Sequence, residues 1–353
     1  MTTRHCVLVV DDSAFARKVM REVLSAAPDL EVVGFARDGL DALEKIEALA
    51  PDVVTLDLMM PGLDGPGVLR ALPAERAPRV VVVSTADVES EMVVEALSLG
   101  AFDFVHKPTS LATDRLYELG GELVRKVRAA AESRPATGPS AVAVRRAPAE
   151  RTPHPPVSGD VRLVVIGTST GGPAALNAVL PALPAALPVP VLVALHIPAE
   201  YTAAMAERLD QESPLRVIEA SDGLVLGPGT VVLARGGLDL TVADTAAGLV
   251  ARTGFDRSRN YHPSVDALFE SAARACGAGV LGVVLTGMGD DGLVGARAIR
   301  AAGGHLVVES EETAVVYGMP RAVWDGGLAD VRVPVEGVAA EIVRRVGRSA
   351  ASA

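Results

Sequence analysis

Ser169 has a sequence environment suited to nucleophilic chemistry. It lies in the segment VVIGTSTGGP, residues 164–173, where an apolar run leads into a glycine-flanked serine and a helix-compatible segment follows. Glycines allow a sharp turn that leaves the hydroxyl exposed, and amides at the start of the next helix can stabilise a negative charge. The segment predicts a nucleophilic serine or a phosphate-binding turn, and an ordinary helix-capping serine remains a third interpretation.

A nucleophilic serine needs a base and a group that orients that base. His196 is the predicted base because the apolar run 191–195 ends directly before it, with His262 and His305 as alternatives. The orienting carboxylate is predicted in LTGMGDDG, residues 285–292, which contains Asp290 and Asp291. Three strand ends thus supply a hydroxyl, an imidazole and a carboxylate.

The order of these groups along the chain excludes one common class of enzyme. Gly167, Ser169 and Gly171 match the Gly-x-Ser-x-Gly pattern of α/β-hydrolases. Those enzymes place the acid before the histidine, whereas here the histidine comes first. The sequence therefore argues against an ordinary lipase or esterase.

A second group of candidate residues lies in the first third of the chain. Asp11, Asp12, Asp57, Ser84 and Lys107 each follow, or end, an apolar run. Strand carboxyl ends are where open α/β sheets build their sites. Clustered carboxylates favour a hard divalent cation such as Mg²⁺, which can present a phosphoryl group to one of them.

The serine, histidine and carboxylate candidates and the acidic group must be positioned by secondary structure, which alternating apolar runs and helical patterns indicate. These patterns predict an α/β protein with two doubly wound parallel-sheet domains, flavodoxin-like and then Rossmann-like, joined by a Pro-rich linker. Within the second domain, residues 224–255 are predicted to form hairpins. We predict a first domain at 1–128, a linker at 129–160, a second domain at 161–348 and a disordered tail at 349–353.

Composition and charge limit the function classes. The 353 residues carry a net charge of −11. Residues 1–128 have 14 basic and 21 acidic side chains, and residues 161–353 have 15 and 20, so neither part predicts nucleic-acid binding. No apolar run is long enough for membrane insertion. Cys6 and Cys276 are predicted to be unpaired thiols of a cytoplasmic protein.

Residues 5–125 resemble the receiver domain of two-component response regulators. The segment DLMMPGLDG at 57–65 fits the phosphoacceptor motif of that family, and Lys107-Pro108 fits its usual ending. The resemblance implies that Asp57 is phosphorylated and that Ser84 and Lys107 contact the phosphoryl group. It also implies that Phe104 is the switch aromatic. The implied Mg²⁺ ligands are Asp11, Asp12, Asp57 and the carbonyl of Met59.

Residues 161–345 resemble the catalytic domain of the CheB family of chemotaxis protein-glutamate methylesterases and glutamine deamidases. The resemblance rests on GTSTGG at 167–172, HIP at 196–198, PSVD at 263–266, TGMGDDG at 286–292 and GMP at 318–320. It implies that Ser169 is the nucleophile, His196 the base and Asp291 the orienting acid, with Asp290 as the alternative acid. It further implies Thr170 and the Met288 amide as oxyanion stabilisers.

The two resemblances together imply a phosphorylation-regulated enzyme. Its substrates would be methyl-accepting chemoreceptors and its phosphodonor a histidine kinase of the CheA type, with Mg²⁺ for phosphorylation and no cofactor for ester hydrolysis. A CheB-like esterase in a non-flagellar system, and a response regulator with a non-catalytic binding output, are the alternatives. Asp239 stands where the family often has a histidine, which leaves substrate preference open.

Overall fold

The computed structural model describes residues 4–73, 77–85, 90–107, 113–133, 150–151 and 160–350. The chain divides into two compact units, Met1–Val142 and Ala143–Ala353. Each unit is built around a parallel sheet with flanking helices, which confirms the predicted α/β class. Pro108, most of the Pro-rich segment and residues 351–353 lie outside the described residues.

The first unit has a five-stranded parallel sheet of order β2-β1-β3-β4-β5, the flavodoxin-like order. The buried segments Val7–Val10 and Val53–Leu56 pair in register at its centre. Helices α1, α2 and α3 begin at side chains that cap their first amides, namely Ser13, Asp38 and Asp64. The elements are β1 His5–Val10, α1 Ala14–Ser25, β2 Leu30–Ala36, α2 Gly39–Leu49, β3 Val53–Leu56, α3 Gly65–Ala71, β4 Arg79–Thr85, α4 Ser90–Ser98, β5 Asp103–Lys107 and α5 Thr113–Glu132.

The second unit has an eight-stranded sheet of order β6-β15-β14-β13-β7-β8-β10-β9, in which only β6 is antiparallel. Its elements are β6 Glu150–Arg151, β7 Leu163–Thr168, α6 Gly172–Val179, β8 Val191–Leu195, α7 Ala199–Glu212, β9 Arg216–Glu219, β10 Thr230–Leu233, β11 Asp239–Thr245, β12 Gly248–Gly254, α8 Val265–Cys276, β13 Val280–Val284, α9 Leu293–Ala301, β14 His305–Glu309, α10 Met319–Asp325, β15 Val331–Val333 and α11 Val335–Ala350.

The hairpin prediction for residues 224–255 is correct only for its second half. β11 and β12 pair antiparallel as a separate two-stranded sheet. β10 instead pairs parallel with β8 and β9 in the main sheet. Its valine-rich, mostly buried sequence is typical of an interior parallel strand, so the following Gly236-Gly237 turn leads out of the sheet rather than back along it.

Two helices extend beyond the boundaries that the sequence predicts. α5 continues to Glu132, into the predicted linker, and α11 continues to Ala350, into the predicted tail. Alanine, the strongest helix former, occupies 129–131 and 350, and it favours continuing a helix that has already begun. Within the predicted linker, β6 pairs with β15 at the edge of the main sheet.

The three central strands of the second unit place the chemistry-bearing residues at one edge. β13, β7 and β8 are neighbours and run parallel, and all of their residues are buried. Burial on both faces explains why these segments read as continuous apolar runs. Their carboxyl ends lead directly to residues 285–292, Ser169 and His196.

Among the residues that the structure describes, no helix is both long enough and apolar enough to cross a membrane.

Gly236 marks the closest approach of two backbone segments near this edge. A Cβ at position 236 would lie 2.3 Å from the Ile197 carbonyl oxygen and 2.4 Å from the Ala199 nitrogen, both backbone atoms of the segment after His196. We predict that Gly236→Ala lowers the free energy of unfolding by about 1–3 kcal/mol, as expected for overpacking. Thermal and urea unfolding of the full chain measure this change.

Gly227→Ala is the matched control, because a Cβ at position 227 has no atom within 4 Å and the residue has no left-handed backbone. Equal unfolding free energies for the two variants would contradict the prediction.

Candidate active site

The predicted nucleophile and base lie side by side at the carboxyl ends of β7 and β8. Thr168 pairs with Leu195, so Ser169 and His196 are the next residues of two adjacent strands. The His196 amide donates to the Thr168 carbonyl at 3.1 Å, and the Ser169 amide donates to the Thr286 carbonyl at 3.0 Å. Backbone pairing therefore fixes Ser169 between the histidine and the acidic loop.

The turn after Ser169 requires glycine. Gly171 has a φ of +78°, in the left-handed region, and directly precedes α6. A Cβ there would lie 2.6 Å from Val315 Cβ. Backbone geometry thus explains the second glycine of the Gly-x-Ser-x-Gly pattern, and the turn leaves Ser169 half-buried.

His196 and Asp291 form a buried hydrogen-bonded pair. His196 Nε2 donates to Asp291 Oδ2 at 2.8 Å, and the two side chains are 11% and 5% exposed. Because Nε2 carries the proton toward the carboxylate, Nδ1 is the nitrogen left with a lone pair for Ser169. The Ser169 hydroxyl makes no hydrogen bond to any described residue, a looseness common in active sites without substrate.

The start of α8 holds the Asp291 carboxylate in place. The amides of Val265 and Asp266 donate to it at 2.8 and 3.0 Å, and Ser264 Oγ donates at 3.3 Å. Burial opposes the charge, but the hydrogen bond from His196 and these amides outweigh it and keep the pKa of Asp291 below its usual value. Asp291 therefore remains an anion that can orient a histidine.

Asp266 makes the reciprocal contact, a role that the sequence did not reveal. Its Oδ1 accepts from the amides of Gly292 and Gly295, at 2.9 and 2.7 Å, at the start of α9. Asp266, at the start of α8, thus caps α9, and Asp291, which lies just before α9, caps α8. The segment PSVD at 263–266 contained this signal, but nothing in the sequence showed which helix its aspartate would reach.

Thr286 connects the acidic loop to the nucleophile turn. Its carbonyl accepts from the Ser169 amide and from Thr168 Oγ1, and its hydroxyl donates to the Thr170 carbonyl at 2.9 Å. Its amide donates to Glu309 Oε2 at 2.7 Å. Glu309, at the end of β14, is a second residue that sequence reasoning missed. The only sequence signal was a carboxylate at the end of an apolar run.

The two predicted oxyanion groups differ in their surroundings. Met288 is half-buried, and its amide donates to no described residue. Thr170 is buried, and its carbonyl accepts from Thr286 Oγ1. The Met288 amide is therefore available to a ligand.

The alternative histidines and the alternative acid have other partners or lie in other places. His262 Nδ1 donates to Asp239 Oδ2 at 3.0 Å. His305 Nδ1 lies 3.2 Å from Asp330 Oδ2, at the amino end of β14 and thus at the opposite edge of the sheet. Asp290 is exposed, whereas Asp291 contacts His196. The structure brings together Ser169, His196 and Asp291.

Asp239 is a buried hydrogen-bond acceptor. It is 3% exposed, and its carboxylate accepts from the Ser264 and Asp256 amides and from His262. These contacts hold the loop that leads into α8.

The acidic group of the first unit also comes together. Carboxylate oxygens of Asp11, Asp12 and Asp57 lie within 4.8 Å of one another, as one cation would require. Lys107 Nζ lies 2.6 Å from Asp11 and 2.7 Å from Asp57. Burial opposes the Lys107 charge, but the two carboxylates outweigh it and raise the pKa of Lys107.

The remaining predicted receiver residues lie in the same unit. Ser84 is fully buried near the end of β4, and Phe104 is buried in β5 with Lys126 Nζ 5.0 Å from its ring centre. The Met59 side chain is exposed, two residues after Asp57. The three carboxylates of Asp11, Asp12 and Asp57 offer the oxygen ligands that Mg²⁺ prefers.

The protonation of Glu309 makes the stability of the protein depend on pH. Burial raises the pKa of Glu309 to about 7, so the folded protein holds this proton more tightly than the unfolded chain does. Its contribution to stability is fully present below about pH 4 and is lost as the pH rises through about 7. Glutamine can accept from Thr286 and donate to Thr313 at the same place.

We predict that the stability advantage of Glu309→Gln over the wild type grows by about 2–3 kcal/mol between pH 5 and pH 8. Urea unfolding at both pH values measures it. Glu311→Gln, at an exposed neighbouring position, is the control and changes stability equally at both. If Glu309→Gln changes the free energy of unfolding equally at pH 5 and pH 8, the raised pKa of Glu309 is wrong.

Family models match both units. The model described as CheB methylesterase matches residues 164–342, and the model described as response regulator receiver domain matches residues 7–118.

Relatives of known name match almost the whole chain. A protein named protein-glutamate methylesterase/protein-glutamine glutaminase 5 from Myxococcus xanthus (strain DK1622) is 58% identical, over 96% of this chain and 97% of that protein. One named protein-glutamate methylesterase/protein-glutamine glutaminase from Symbiobacterium thermophilum is 44% identical, over 97% of each. The crystal structure of the Thermotoga maritima CheB methylesterase catalytic domain matches with a TM-score of 0.51 and 36% identity, over 53% of this chain and 99% of that one. The chain therefore belongs to the CheB methylesterase family.

Proposed function

We propose that the chain is a phosphorylation-regulated protein-glutamate methylesterase that also deamidates protein glutamine, with methyl-accepting chemoreceptors as substrates. The observation that carries the proposal is the buried hydrogen bond between His196 and Asp291, beside Ser169, at the carboxyl edge of the sheet. The names of the relatives support reactions on protein glutamate methyl esters and protein glutamines, and the resemblance to a chemotaxis family supports chemoreceptors as the proteins that carry them.

The reaction begins at Ser169. Its Oγ attacks the γ-carbonyl carbon of a glutamate methyl ester while His196 Nδ1 takes the hydroxyl proton. The protonated histidine returns that proton to the leaving methoxide, and methanol departs. Water, deprotonated by the same nitrogen, then hydrolyses the acyl-enzyme to glutamate and free serine. A glutamine side chain reacts in the same way and releases ammonia.

Charge develops on the carbonyl oxygen during both attacks. The Met288 amide, which has no partner among the described residues, is the proposed donor to that oxygen, together with the turn at Thr170. Asp291 stays anionic throughout and stabilises the imidazolium of His196 through Nε2. No cofactor takes part in these steps.

We predict that Ser169→Ala and His196→Ala lower the rate of methanol release from methylated receptor by at least about 10³-fold. Asp291→Asn lowers it by a similar factor because asparagine does not stabilise the imidazolium. Ser221→Ala, an exposed serine of the same unit, keeps wild-type activity. Full activity of Ser169→Ala would overturn the assignment of the nucleophile.

The first unit supplies regulation. We propose that a histidine kinase of the CheA type phosphorylates Asp57. Asp11, Asp12, Asp57 and the Met59 carbonyl would hold Mg²⁺, which neutralises the carboxylates and the incoming phosphoryl oxygens. Lys107 and Ser84 contact the phosphoryl group, and Phe104 transmits its presence. The phosphoryl group adds a charge of about −1.5 to −2, enough to shift a two-state domain.

The proposed substrate class and phosphodonor support a cytoplasmic location. Its free cysteines, Cys6 and Cys276, are consistent with a reducing compartment.

We predict that a small-molecule phosphodonor with Mg²⁺ raises methylesterase activity by about 10-fold, within the usual range of allosteric coupling. Asp57→Asn removes the response and keeps the basal rate. Chelation of Mg²⁺ does the same to the wild type. The control Glu44→Gln, exposed on α2, responds normally. An equal response of Asp57→Asn and the wild type would show that Asp57 is not the phosphoacceptor.

A further inference from the structure

The hydrogen bond to Asp291 does not by itself orient the ring of His196. The terminal torsion of histidine is broad, and Nε2 lies nearer than Nδ1 to the axis about which the ring turns. Tilting the ring therefore moves Nδ1 farther than it moves Nε2. Since the Ser169 hydroxyl makes no hydrogen bond to the described residues, a second contact must set the tilt.

Tyr261 makes that contact. Its ring lies parallel to the His196 imidazole, with 4.6 Å between ring centres and 7° between planes, a favourable geometry for an aromatic pair. The Tyr261 hydroxyl lies 3.5 Å from the point where a Cβ of Gly289 would be. The ring thus packs against the histidine, and its hydroxyl reaches the loop that carries Asp291.

The loop that carries Tyr261 is firmly anchored. The Asp239 carboxylate accepts from the Asp256 and Ser264 amides and from His262 Nδ1, at 2.9–3.0 Å. The Gly237 amide also donates to the His262 carbonyl at 3.0 Å. Although Tyr261 is 43% exposed, its backbone has little freedom to move away.

We propose that Tyr261 is a positioning residue that fixes the plane of the His196 imidazole so that Nδ1 faces Ser169. The proposal rests on the triad of the proposed function. Only a flat side chain at position 261 satisfies it, because an aliphatic group of similar size allows the ring to tilt. The phenol hydroxyl is not required.

The test uses Tyr261→Leu and Tyr261→Phe in the full chain, with Asn260→Ala as the control. Asn260 is the exposed neighbour on the same loop and has no aromatic ring to stack on His196. Two rates are measured: methanol release from methylated receptor, as kcat and KM, and covalent labelling of Ser169 by a fluorophosphonate. Labelling reports activation of the serine without receptor binding.

For Tyr261→Leu we expect kcat and the labelling rate to fall together by about 10–100-fold, as for a misplaced catalytic group, with KM unchanged. Tyr261→Phe and Asn260→Ala retain wild-type values of both. Unchanged thermal unfolding of Tyr261→Leu shows that the loss is not unfolding.

Three results overturn the proposal. Wild-type kcat and labelling of Tyr261→Leu show that the ring is not needed. A rise in KM alone shows that Tyr261 contacts the substrate instead. Loss of both rates in Tyr261→Phe shows that the hydroxyl acts. If Ser169→Ala is inactive, these results overturn only the role of Tyr261 and the triad assignment remains. If Ser169→Ala is active, the triad assignment and this proposal are both wrong.

Discussion

The buried negative charge of Asp291 constrains the rest of the catalytic unit. An unpaired carboxylate in such a place costs several kcal/mol, so hydrogen-bond donors must converge on it from elsewhere. The first amides of α8 and the ring of His196 supply them. The start of α8 and the end of β8 must therefore lie against the end of β13, although about 95 residues separate His196 from Asp291.

The receiver unit also buries carboxylate charges, but the group that compensates them can move. Asp11 and Asp57 both contact a lysine side chain, Lys107, in addition to the Ser13 amide that donates to Asp11. A side chain can change partners when a cation or a phosphoryl group arrives, whereas the amides at a helix start cannot. The difference suits a charge that must vary in one unit and a charge that must stay constant in the other.

The sequence predicted which groups meet but not how they are oriented. The apolar runs that end at Ser169 and His196 were sufficient to predict that these two residues meet, because parallel strands bring their carboxyl ends to one edge. The choice between Asp290 and Asp291 required the resemblance to the CheB family. Adjacent residues of one loop differ only in the direction in which their side chains point. The use of Nε2 and the support from Glu309 and Asp266 depend on packing between distant segments, which no local pattern contains. The course of β10 was misread because a turn of two glycines serves a hairpin and an exit from the sheet equally well.

Asp239 shows how a departure within a motif can act away from the substrate. In the sequence it stands where the family often has a histidine, two residues after Gly237, and it left substrate preference open. In the structure it is buried and accepts three hydrogen bonds from the loop at 256–264. That loop carries Tyr261 against His196 at one point and Ser264 against Asp291 at another. A single acceptor thus anchors the loop that supports both partners of the base, Tyr261 and Asp291, so residue 239 acts on the site through the position of that loop.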